Sequence, residues 1–107
     1  MPKRVIRNTA ISDAINRRFF EAVALLVALR EVKSLESFCL LHRLSPPRYR
    51  ALRLQYGTTP KPGYICAYTK VEIEAIYALV SNYRVNAEWL ITGRGEMMAK
   101  RVNNETK

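Results

Sequence analysis

A chain of 107 residues, 49% hydrophobic and 25% charged, suffices for one domain that buries roughly 65% of its unfolded surface without disulfide or metal staples. Its 18 Lys+Arg against 9 Asp+Glu leave a net charge of +9, which directs attention to a polyanionic partner. The longest apolar run, residues 22–29, is too short to span a bilayer, and the basic N-terminal stretch lacks the apolar core of a signal peptide. The expectations are no membrane partner and a cytoplasmic location.

Residues 1–10 and 100–107 show no apolar periodicity and read as flexible tails, the first of them a basic arm, around a domain at 11–99. Ile11, Ile15, Phe19, Ala22, Leu26 and Leu29 recur at steps of three and four, the stripe of an amphipathic helix predicted over 13–32. Phe20, Val23 and Val27 widen that stripe, whereas Arg17, Arg18 and Glu21 fall off it and are expected in solvent. Ser34 is placed to cap a second, shorter helix with Phe38, Cys39 and Leu41 facing inward, its hydroxyl accepting from an orphan amide of the first turn. Ser45-Pro46-Pro47 opens a third helix, because proline's missing N–H costs least in the first turn, and Gly57 ends it after residue 56.

Residues 57–68 carry Pro60, Pro62 and Gly63 and form a loop, expected to be pinned to the core by Tyr64, Ile65 and Tyr68. Thr69 and Glu72 have the spacing of a capping box before a fourth helix that runs to residue 83, with Ile73, Ile76, Tyr77 and Val80 at helical spacing. Asn86 caps a fifth helix at 87–92, which Gly93 ends. No strand pattern of useful length appears, so the expected class is all-α.

Chemistry-bearing residues are sparse. His42 is the single histidine, Asp13 the single aspartate, and Cys39 and Cys66 lie far apart, so no metal-ligand spacing, catalytic triad or carboxylate pair is present. There is neither a glycine-rich phosphate loop nor a nucleophile elbow. The expectations are no enzyme, no cofactor, no metal and no small-molecule ligand, with Cys39 packing as a small hydrophobe.

Charge is where the chain is distinctive. Residues 37–71 hold Arg43, Arg48, Arg50, Arg53, Lys61 and Lys70 and no Asp or Glu, whereas residues 1–36 hold 7 bases and 4 acids and residues 72–107 hold 5 and 5. This acid-free stretch coincides with two short helices joined by a tight turn, the arrangement a helix-turn-helix requires. On the second of these helices Tyr49 and Leu52 share one face, which leaves Arg50 and, depending on the twist, Arg48 and Arg53 to project outward. Arginine suits that place because its planar fork bonds bidentately to guanine or to a phosphate. Lys33, Ser34, Arg43, Lys61 and Lys70 are the natural phosphate contacts, Ser34 being equally a simple cap.

Residues 34–56, the later Val85-Asn86-Ala87-Glu88-Trp89-Leu90 and the ending Thr92-Gly93-Arg94-Gly95-Glu96-Met97 resemble lambda-repressor-like regulators of the XRE class, in compact versions with an N-W-L-T-G-x-G-E-M type ending. The resemblance covers residues 19–98. It implies a compact five-helix lambda-repressor-like DNA-binding domain, acting in transcription regulation as a homodimer on double-stranded DNA. It also implies that Phe38, Cys39, Leu44, Tyr49 and Leu52 are buried, that Trp89 anchors the core, and that the major groove is met by Ser45, Pro46, Pro47, Arg48, Arg50 and Ala51, with Arg53 and Leu54 flanking.

Two departures from that pattern have physical consequences. Arg43 stands where the family usually has glycine, and a left-handed backbone there costs a non-glycine residue about 1 kcal/mol. Pro46 and Pro47 remove two backbone N–H groups from the start of the third helix, and the glutamines that commonly read adenine are absent. The same features are compatible with a protein-interaction module on this fold, or with sequence-neutral nucleic-acid binding.

Overall fold

A computed structural model describes residues 10–99. The described residues form an all-α domain of five helices, α1 (Ala10–Ala28), α2 (Leu35–Leu41), α3 (Pro46–Tyr56), α4 (Ile73–Tyr83) and α5 (Ala87–Thr92). Helix α1 is the central element and touches each of the other four, and α2 packs most extensively on α3. The core is built around Phe19, whose ring lies 4.9 Å from that of Phe20, 5.8 Å from Phe38 and 5.6 Å from Tyr49. Leu26, Leu52, Leu79 and Leu90 complete it from four different helices. Among the described residues, no helix is long and apolar enough to cross a membrane.

Helix α1 differs from its expected 13–32 at both ends, starting at Ala10 and stopping at Ala28. Its exit is made by Arg30 in the left-handed region, φ 63°. Arg30 N–H donates to the Val27 carbonyl at 3.0 Å and Glu31 N–H to that of Leu26 at 2.9 Å, which is a Schellman closure. Glycine normally marks such a closure, so an arginine there gives the sequence no stop signal. Leu29 consequently lies beyond the helix and is exposed, as are Ile11 and Val27 from the same expected stripe. Arg18, expected in solvent, is partly buried and donates to the Leu90 carbonyl at 2.8 Å, fastening α1 to the end of α5.

The two serine caps form as their positions require. Ser34 Oγ accepts from Ser37 N–H at 3.1 Å, and Ser45 Oγ accepts from Arg48 N–H at 3.4 Å. Between the helices Arg43 adopts φ 60°, the left-handed conformation that is costly for a non-glycine residue. Arg43 N–H reaches the Leu40 carbonyl at 3.4 Å and Leu44 N–H that of Cys39 at 2.8 Å, a second Schellman closure that turns the chain and buries Leu44. Removing the Cβ relieves the strain while loosening the unfolded chain. Arg43→Gly is therefore expected to raise unfolding stability by roughly 0.5 kcal/mol, read as a shifted denaturant midpoint at unchanged slope. Phe38, Cys39, Leu44, Tyr49 and Leu52 are all buried, while Leu41, expected inward, is exposed.

The connection from α3 to α4 is fastened at several points. Lys61 N–H donates to the Leu54 carbonyl at 2.7 Å, and Cys66 N–H to Gln55 Oε1 at 2.7 Å. Buried Asn16 on α1 donates to the Thr69 carbonyl at 2.9 Å and accepts from Val71 N–H at 3.0 Å. Tyr64 packs partly against the core, whereas Ile65, expected to do so, is exposed. Helix α4 starts later than the Thr69–Glu72 spacing suggests: Glu72 itself is its N-cap, and the Glu72 carboxylate accepts from the Tyr49 hydroxyl at 3.0 Å. Helix α4 buries Ala75, Ala78 and Leu79, so its inner face is rotated from the expected one and leaves Ile73 and Tyr77 exposed.

The C-terminal motif has a structural explanation. Asn86 Oδ1 caps α5 by accepting from Glu88 N–H at 3.0 Å, and Asn86 Nδ2 holds the Glu96 carbonyl at 2.9 Å. Gly93 and Gly95 carry φ of 81° and 83°, which turns residues 94–99 back to pair beside Val85. A Cβ on Gly95 would lie 3.2 Å from Asn86 Nδ2, a tight contact that adds to the strain of its positive φ. Trp89 is partly buried and packs on the core from its edge, while Leu90 fills the interior.

Candidate nucleic-acid interface

Helix α3 presents three faces. Tyr49, Leu52 and Tyr56 are buried, and Pro47, Arg50, Arg53 and Leu54 are exposed. The remaining flank is covered by the following loop, where Tyr68 stacks under the Arg48 guanidinium at 4.6 Å and Cys66 N–H bonds to Gln55. Arg48 is thus half-buried, with its Nε enclosed and without a hydrogen-bond partner among the described residues, and its fork is held in place by a cation–π contact. Ala51, expected to face a groove, is partly buried against the core.

Arg53 points to the other side. There Lys33 and Ser34 from the α1–α2 connection, Arg53, and Thr58 and Thr59 from the loop ring a groove of about 410 Å³ floored by apolar side chains of α1 and Leu35. Two cations and three hydroxyls from three separated segments therefore converge at one place. Thr58 and Thr59 have no sequence signal of their own; only the return of the loop over α3 brings them to Arg53.

The remaining expected residues are dispersed. Ser45, Pro46 and Pro47 form the entrance of α3, with Ser45 committed to its capping bond. Arg43 and Lys61 are exposed on the flanking turn and loop. Lys70 lies elsewhere, against Ile15, Ile73 and Ile91. The acid-free segment is not acid-free in space: Glu36 of α2 stands 3.6 Å from Arg50 Nη1, both side chains half exposed, an ion pair of little stabilising value that still competes for the guanidinium.

Behind α2 and α3 the polar groups are tuned by burial. Burial pushes the Cys39 thiol up to about 11 and also raises the Tyr49 hydroxyl, so Cys39 stays a neutral packing group. His42 lies between the Phe38 ring at 4.7 Å and the Tyr83 ring at 5.5 Å, with Nε2 2.8 Å from the Tyr83 hydroxyl. Burial lowers its pKa below the usual 6.5. The unfolded chain then takes up a proton first as pH falls, so this contribution to stability is complete above about pH 6.5 and is lost as pH drops through the lower folded value. The unfolding midpoint is expected to fall between pH 7.5 and 5.5 in the wild type, and by less in His42→Gln, as measured by circular dichroism.

Compared with protein-family models, with curated proteins and with solved structures, the chain matches none of them.

Proposed function

We propose that the chain is a double-stranded-DNA-binding transcription regulator of the lambda-repressor-like, XRE type, with α2 and α3 as its helix-turn-helix and α3 as the recognition helix in the major groove. The observation that carries this is the convergence of Lys33, Ser34, Arg53, Thr58 and Thr59 on one groove beside the exposed Arg50 of α3. A ring of cations and hydroxyls at the edge of a helix is suited to clasp a phosphate backbone while that helix reaches base edges. Lys61 and Arg43 extend the cationic surface on either side of the pair, and Arg48, steadied by Tyr68, supplies a further fork at the entrance of α3. One helix of eleven residues makes few base contacts, so operator affinity calls for a homodimer on a two-fold site.

Two observations favour a second reading. Glu36 beside Arg50 and the proline pair at the start of α3 both weaken base readout while leaving the phosphate groove intact, which suits sequence-neutral binding. Titration of duplex DNA across a salt series tests both. The logarithm of the association constant should fall linearly with the logarithm of salt, with a slope of about 0.9 per phosphate contact. A flat dependence removes DNA from consideration. An equally tight random duplex selects the sequence-neutral form, and a palindrome enriched from a random pool selects the regulator.

A further inference from the structure

Away from the cationic groove, α1, α4 and α5 leave a face of isoleucines uncovered. Ile73 is 77% exposed, Tyr77 71%, Ile11 69% and Ile91 47%, with Ile15 and Ile76 partly buried beneath them. Ile91 joins two hollows: one of about 240 Å³ lined by Ile15, Ile73 and Ile76, and one of about 450 Å³ lined by Ile11 and Ala14. We propose that this face is where a second copy of the chain docks, forming a two-fold homodimer through α1, α4 and α5.

Charge selects the occupant. A two-fold axis brings like against like, so a chain with a net charge of +9 repels its own copy wherever its surface is cationic. This face is the exception. Among the described residues, its hollows are lined by no acid, and the bases lining them are Lys70 and Arg18, the second already bonded to the Leu90 carbonyl at 2.8 Å. Size fits as well. At roughly 200 Å² for each fully exposed large side chain, the four protruding residues offer on the order of 500 Å² of mostly apolar surface. That is at the upper end of what monomers leave exposed, and over half of the roughly 800 Å² per partner of a stable interface, the remainder being supplied by a polar rim. The protruding Ile73 of one copy has a hollow beside Ile91 of the other to enter.

None of these residues lines the groove of Lys33 and Arg53, so a dimer formed here keeps both cationic grooves open. The inference rests on the proposed function for its purpose, but its test uses no DNA. Sedimentation of the full chain from 1 to 100 µM should give twice the 12.3 kDa chain mass. Ile73→Glu should sediment as the monomer, with the dissociation constant raised at least ~100-fold and the circular dichroism spectrum unchanged. Leu41→Glu, at an exposed site on α2, should remain dimeric. Ile91→Lys replaces Ile73→Glu in the comparison if the latter loses its fold. A wild-type chain monomeric at 100 µM, an Ile73→Glu variant that stays dimeric, or dissociation by Leu41→Glu overturns the proposal, and each leaves the DNA-binding reading to stand or fall on the salt titration.

Discussion

Duplex affinity is expected to drop roughly 100-fold at 0.1 M salt in the double variant Lys33→Glu with Arg53→Glu, and the salt slope to shrink by about two. The size follows from counting: two phosphate contacts are lost, and two carboxylates now face the backbone across the same groove. Net charge alone would give a far smaller change, since exposed charges more than about 10 Å apart are largely screened. Arg84→Glu with Arg94→Glu changes net charge equally on residues outside the groove and serves as the control, expected to alter affinity by no more than a few-fold. If both double variants weaken binding alike, the groove has no special role and the proposed interface is wrong. Lys33 and Arg53 are exposed, so neither substitution burdens the core.

The second large effect is on stability. Asn16 is 1% exposed, and both ends of its amide are committed to the backbone of the segment entering α4, donating to Thr69 and accepting from Val71. Asn16→Leu keeps the heavy-atom count and the branch at Cγ but strands an enclosed N–H and a carbonyl, for a loss of roughly 3 kcal/mol. For a domain of this size that lowers the thermal midpoint by more than 10 °C. Because the same amide ties residues 69–71 to α1, tryptic cleavage at Lys70 should accelerate in step. A variant that melts within 2 °C of wild type would mean that water satisfies those groups and that the clamp is dispensable.

Local signals were legible from the residues alone. Ser34, Ser45 and Asn86 cap helices because a short polar side chain before an apolar stripe has an orphan amide within reach, and Gly57 and Gly93 end helices at the positions expected of them. The left-handed turn at Arg43 was raised only by the resemblance, which has glycine at that place, and the end of α1 had no signal at all, because Arg30 makes the same closure without the glycine that advertises it. Leu41, Ile65, Ile73 and Tyr77 were assigned to the core on hydrophobicity, yet a helix needs only one stripe, and the smaller Ala75 and Ala78 let α4 approach α1 more closely than its isoleucines would. The Thr69–Glu72 spacing could not announce the tertiary partner of Glu72, the Tyr49 hydroxyl, 23 residues distant.

By itself, the sequence determined the all-α class, the five helices and the concentration of positive charge between residues 37 and 71, because periodicity, caps and composition are properties of neighbours along the chain. Only the tertiary structure decided how that charge is divided. It sent Arg48 onto Tyr68, set Glu36 against Arg50, gathered Arg53 with Lys33, Thr58 and Thr59, and placed Lys70 among isoleucines. A side chain's partners depend on which faces pack and where a loop returns, and those are settled by long-range burial.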